Sequence, residues 1–128
     1  MENNKTILYV DDDEDDVELL TDAFKDLDPK VKLDIAKNGL EALSYLQSGQ
    51  KLPCLIVLDL NMPYLNGKQT FDKIKADSGL QHIPVIVFTS SSNPSDKAAF
   101  KNLGIDFITK PHNFSAISDA AVRMLSSC

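Results

Sequence analysis

The sequence predicts an α/β fold: a doubly wound, five-stranded parallel sheet with helices on both faces. Two observations carry that expectation. Short apolar runs alternate with helical patterns from one end of the chain to the other, as repeated βα units require. Three of those runs, ILYV, LIVL and VIVF, are continuously apolar, as strands buried on both faces must be, whereas VKLDIA and IDFI interleave charge, as edge strands do.

The elements follow in order. The first strand is expected at Thr6–Val10, and six consecutive acids, Asp11 to Asp16, lead into a helix whose buried stripe is Val17, Leu20, Phe24 and Leu27. The second strand spans Val31–Ala36. Its helix starts at Asn38, which with Glu41 resembles a capping box, turns Leu40, Leu43 and Leu46 inward and stops at Gly49. Leu55–Leu58 forms the third strand, followed by a helix carrying Phe71 and Ile74 and stopped near Gly79. After the fourth strand, Val85–Phe88, the helix near Pro94–Leu103 is the least apolar. It offers mainly Ala98, Ala99 and Leu103 to a core and should pack lightly. Gly104 ends it, Ile105–Ile108 forms the last strand, and Phe114, Ile117, Ala121 and Met124 mark the last helix. With the second and fifth strands at the edges and right-handed crossovers, the strand order is 2-1-3-4-5, the flavodoxin-like arrangement. In such sheets ligands bind beyond the carboxyl ends of the strands.

Composition narrows the function classes. A chain of 128 residues makes one domain that buries roughly two-thirds of its unfolded surface, and residues 1–128 are read as a single unit without an output domain. A net charge of -6 disfavours nucleic acid as a partner, because phosphate contacts need a basic patch. No apolar run approaches the ~20 residues that span a bilayer, and MENNKT lacks the apolar stretch of a secretory signal, so a cytoplasmic protein without membrane contact is expected. Cys54 and Cys128 fit neither a disulfide framework nor a zinc spacing and are read as thiols without a role.

The residues immediately after the apolar runs are chemically related. Asp11 and Asp12 follow ILYV, Asp59 follows LIVL, Thr89 and Ser90 follow VIVF, and Thr109 and Lys110 follow IDFI. The first and third strands are neighbours, so Asp11, Asp12 and Asp59 should share a small volume at the switch point. Two unit charges ~4 Å apart repel by roughly 4 kcal/mol at an effective dielectric of about 20, so a cation is expected among them. An all-oxygen set suits Mg²⁺ or Mn²⁺, and no zinc ligands are at hand. A divalent cation beside a carboxylate, a lysine and a hydroxyl makes a phosphoryl-transfer site, in which Asp59 could serve as nucleophile.

These residues carry a family resemblance. VDDD after the first strand, LDLNMP after the third, FTSSS after the fourth and FITKP after the fifth together resemble the receiver domains of two-component response regulators, over the whole chain. The resemblance implies that Asp59 accepts a phosphoryl group from a histidine kinase or phosphotransfer protein, and that the chain is a phosphoacceptor that assists its own phosphorylation and dephosphorylation rather than an enzyme. Asp12 would bind Mg²⁺ directly, Asp11 largely through water and Asn61 through its backbone carbonyl, while Thr89 and Lys110 would contact the phosphoryl oxygens. The family's switch aromatic, three residues before the lysine, is often Tyr and here is Phe107, which excludes a hydroxyl-mediated contact and leaves ring reorientation. The output would be a contact with a downstream target protein, or with a second copy of the chain, through the fourth helix, fifth strand and fifth helix. The resemblance also implies a cis bond between Lys110 and Pro111. FTSSSNPSD with LGIDFITKP is further similar to stand-alone receivers that serve bacteriophytochrome-type sensor kinases.

Plainer roles compete for some of these residues. Acids in a first helical turn oppose the macrodipole, so Asp13, Glu14, Asp15 and Asp16 are read as a helix start. His82 and His112 lack partners at metal or triad spacing and are read as surface residues, and Tyr9 as core. An unphosphorylated pseudo-receiver is the alternative function; the intact acids, Thr89 and Lys110 speak against it. A haloacid-dehalogenase-type phosphatase would want an acid where Asn61 stands, and a flavin carrier would want a phosphate-cradling loop where the acids would repel phosphate.

Overall fold

The structure, a computed structural model, describes residues 5–49, 51–91 and 93–128. Most of the N-terminal stretch MENNKT and the last serine of FTSSS lie outside those residues. Among the described residues, five strands and five helices alternate strictly: β1 (Thr6–Val10), α1 (Glu14–Leu27), β2 (Lys32–Ala36), α2 (Gly39–Gln47), β3 (Leu55–Leu58), α3 (Gly67–Ala76), β4 (Val85–Thr89), α4 (Pro94–Asn102), β5 (Asp106–Thr109) and α5 (Phe114–Ser126). All pairings are parallel and the order is β2-β1-β3-β4-β5, as expected.

The composition of the strands explains their places. β3 and β4 are buried throughout, and Ile7 to Val10 of β1 with them, whereas β2 and β5 are partly open. Alternate residues of the central strands feed two cores. Leu8, Val10, Ile56, Leu58, Val85 and Val87 pack with Ala42, Leu46, Phe71, Ile74 and Phe100 of α2, α3 and α4. Ile7, Tyr9, Val57, Ile86 and Phe88 face the other way, onto Leu20, Phe24, Ile117, Ala121 and Met124 of α1 and α5.

The helix ends differ in detail from expectation. Asn38 does cap α2, accepting from the Glu41 N–H at 2.9 Å, but the Glu41 carboxylate accepts from the Lys37 N–H rather than closing the box. The complete box is at α3, where Asn66 and Gln69 hold each other's N–H groups. Gly49 and Gly104 take left-handed φ values of 84° and 75°, as helix stops do; Gly79 does not. At the ends of three expected stripes, Leu27, Leu40 and Phe114 are exposed.

Three expectations are corrected. α4 is lightly packed, but its one buried side chain is Phe100; Ala98, Ala99 and Leu103 point outward, because a weakly amphipathic helix leaves its phase to the tertiary contacts. Cys54 and Cys128 are not separate thiols but a disulfide, with Cα atoms 5.0 Å apart. The chain end beyond α5 returns beside the entry to β3, bringing together residues 74 apart in sequence. Finally, no described peptide bond is cis, so Lys110–Pro111 is trans; the ordinary isomer already aims the lysine, whose N–H extends the β4–β5 ladder by donating to the Thr89 carbonyl at 2.8 Å.

Candidate functional site

The sheet delivers the site residues by continuing its ladders one step past the strands. The Asp11 N–H donates to the Ala36 carbonyl at 3.0 Å, and the Asp59 N–H to the Val10 carbonyl at 3.0 Å. Both carboxylates are thereby set at the carboxyl edge and are almost fully buried, at 1% and 4% exposure. α3 closes tightly over the same edge: a side chain at Gly67 would strike the Asp59 carbonyl and the Leu60 backbone, so only glycine lets this helix start there. The loop between carries Tyr64 at φ 66°, a left-handed conformation rare for a non-glycine residue.

Asp11, Asp12 and Asp59 come together as the sequence predicts, with one oxygen from each lying within 4.8 Å of the others. Asp12 is exposed, and among the described residues its carboxylate accepts no hydrogen bond. Asn61 is also exposed, donates its N–H to Asp59 Oδ1 at 3.4 Å, and shares a hollow with Asp12, Met62 and Pro63. Thr89 is fully buried, and its hydroxyl accepts from the Ser91 N–H at 3.2 Å. Lys110 crosses the site: its Nζ donates to Asp11 Oδ2 and Asp16 Oδ2, each at 2.7 Å, and to Asp59 Oδ2 at 3.4 Å. His82 and His112 are exposed, as expected.

Sequence reasoning missed two contributors. Asp16, read as part of a helix start, is an ion-pair partner of Lys110. Tyr9, read as core, is fully buried, but its hydroxyl donates to Asp11 Oδ2 at 2.5 Å. A signal for Tyr9 was available, since residues two apart on a strand share a face. For Asp16 only its place in the first turn was legible, and the side chain's direction toward Lys110 was not.

The electrostatics follow from burial and company. Burial is the largest influence on Asp59 and raises its pKa; Lys110 opposes this, Asp11 reinforces it, and hydrogen bonds from Thr89 and Asn61 oppose it, leaving Asp59 above the ordinary carboxylate range. Burial alone would lower the Lys110 pKa, but hydrogen bonds to Asp11 and Asp16 and the charges of Asp59 and Asp11 carry it well above its usual value. Three carboxylates, Asp11, Asp16 and Asp59, thus face one ammonium, and Asp12 adds a fourth acid to the cluster. The unbalanced negative charge, the all-oxygen donors and the unpartnered Asp12 fit a divalent cation.

Residues 7–122 match the response regulator receiver domain. The chain belongs to that family. Response regulator Rcp1 of Synechocystis sp. is 35% identical over 115 residues, which cover 85% of this chain and 78% of Rcp1. The crystal structure of the phosphorylated cyanobacterial phytochrome response regulator RcpA is similar with a TM-score of 0.87 at 30% identity, covering 98% of this chain and 96% of RcpA. The Mn²⁺-bound form of Rcp1 follows at a TM-score of 0.85 and 32% identity, covering 95% of this chain and 92% of that one. A receiver domain is therefore in hand, with three clustered carboxylates whose chemistry fits a divalent cation.

Proposed function

We propose that the chain is a phosphorylation-driven switch of a two-component system, in which Asp59 accepts a phosphoryl group from the phosphohistidine of a sensor histidine kinase or phosphotransfer protein. The observation that carries this reading is the convergence on Asp59 of an ammonium, a buried hydroxyl and two further acids. An Asp59 oxygen attacks phosphorus and the P–O bond forms as the P–N bond breaks. The imidazole leaves with the electron pair, neutral because its other nitrogen carries a proton. Mg²⁺ (or Mn²⁺) held by Asp59 and Asp12, by Asp11 through water and by the Asn61 carbonyl would neutralise charge on the transferring oxygens. Lys110 offsets charge on one phosphoryl oxygen and the Thr89 hydroxyl donates to another.

Readout begins at Thr89. The register pairs Thr89 with Thr109 and Val87 with Phe107, so Thr89 and Phe107 share the sheet face that carries α4. Phe107 lies 6.2 Å from Phe100, which in turn lies edge-on to Phe71 at 5.2 Å. When Thr89 turns toward the phosphoryl group, the Phe107 ring turns inward and α4 moves with it, biasing two arrangements of the face made by α4, β5 and α5. That face meets a downstream protein or a second copy of the chain. The likeness to phytochrome response regulators favours a bacteriophytochrome-type kinase as donor.

Mg²⁺-dependent labelling by acetyl phosphate or a kinase tests the reading. Asp59→Asn should abolish it, and labelling that survives this substitution or a chelator overturns the assignment. For the readout, amide shifts of residues 94–110 on adding beryllofluoride should fall sharply in Thr89→Ala; an undiminished response refutes the coupling.

A further inference from the structure

The six acids after β1 are not equivalent. Asp12, Asp13, Glu14 and Asp15 are exposed, Asp11 is buried, and Asp16 alone is half-buried while reaching a cation. Its place is built rather than incidental. Asp11 Oδ1 accepts the Asp13 N–H at 3.0 Å, Asp13 Oδ1 accepts the N–H groups of Asp15 and Asp16 at 2.9 and 3.1 Å, and α1 is thereby fixed in rotation against the sheet edge. Helical side chains lean toward the N-terminus, so the Asp16 carboxylate points back to the strand ends, where Lys110 lies.

An ammonium has three donors, and Lys110 gives one each to Asp11, Asp16 and Asp59. The two at 2.7 Å go to Asp11 and Asp16; the contact with Asp59 is the loose one, at 3.4 Å. We infer that Asp16 is a positioning residue of the phosphoryl site: it holds Lys110 away from Asp59, so that an arriving phosphoryl group must compete with Asp16 for the ammonium. This rests on the phosphoacceptor reading of Asp59. Among the described residues the ion pair of the Asp16 carboxylate is with Lys110, and Asp16 acts through that lysine. Its effect is to keep Asp59 less neutralised as a nucleophile and to weaken the hold on the phosphorylated product, a bias toward a short-lived signal.

The test is titration of beryllofluoride at saturating Mg²⁺, followed by amide NMR, in the parent, Asp16→Asn, Asp16→Ala, Lys110→Ala and the Asp16→Asn/Lys110→Ala pair. Losing a competing charge one ammonium away should tighten beryllofluoride about tenfold in both Asp16 variants. In the Lys110→Ala background most of that gain should vanish, because the effect travels through the lysine. Unchanged affinity in the Asp16 variants overturns the inference, and so does a gain retained in full without Lys110, which would mean direct repulsion. A parent that takes up neither beryllofluoride nor phosphoryl groups overturns the phosphoacceptor reading itself, and this inference with it.

Discussion

Phe100→Ala should loosen α4 without unfolding the rest of the domain. Phe100 is 1% exposed and is the only buried side chain of α4. Deleting a buried phenylalanine from a core that cannot relax costs about 3–5 kcal/mol. Here the element that carries it can leave. α4 has nine residues, fewer than the ~12–15 an isolated helix needs in water, and its remaining side chains are at most partly buried. Undocking opens the cavity to solvent and caps the penalty, so global stability should fall by only about 2–3 kcal/mol, close to the burial value of one aromatic side chain. Urea unfolding followed by circular dichroism measures that loss, and the m-value should fall because part of the surface is already exposed. Native-state hydrogen exchange supplies the decisive readout: amides 97–103 should lose most of their protection while those of β1, β3 and β4 keep theirs. If amides 97–103 stay protected as in the parent while stability drops by the full amount, α4 is held by more than Phe100 and the ring relay from Phe107 loses its basis.

The disulfide closes a loop with a sequence separation of 74, for which chain entropy assigns about 4.5 kcal/mol. Reduction, or Cys54→Ser, should lower the Tm by roughly 15 °C, and a thiol titration showing two free thiols in air-oxidised protein would refute the pairing. The same change should leave Asp59 labelling intact, because Cys54 lies at the opposite end of β3 from Asp59. Tyr9→Phe removes a hydrogen bond to a buried carboxylate while keeping the ring packed near Phe88, and should lower stability by about 1.5–3 kcal/mol in urea unfolding. A loss below a few tenths would show that the hydroxyl is not held by Asp11. Tyr64 is 82% exposed at φ 66°, so Tyr64→Gly should raise stability by roughly 0.5–1 kcal/mol, the relief of left-handed strain exceeding the added chain entropy. An unchanged denaturation midpoint would contradict it.

The sheet and most of the candidate site are legible in the order of residues alone. Continuous apolar runs for β1, β3 and β4 and charged ones for β2 and β5 sort centre from edge through burial, a property each strand carries in its own composition. Asp11, Asp12, Asp59, Thr89 and Lys110 were legible because lying just past a strand's end is a local fact, and parallel strands place all such ends together. The folded chain settles what local patterning leaves open: which carboxylates reach Lys110, that Phe100 rather than Ala98, Ala99 or Leu103 anchors α4, and that Cys54 meets Cys128. Each of these depends on the rotation of a helix about its axis or on where a crossover returns the chain. Periodicity of 2 or 3.6 names a face when the apolar stripe is strong. It is silent for a helix as weakly patterned as α4, for the direction of an acid such as Asp16 in a helix's first turn, and for two residues 74 positions apart whose meeting is the sum of every crossover between them.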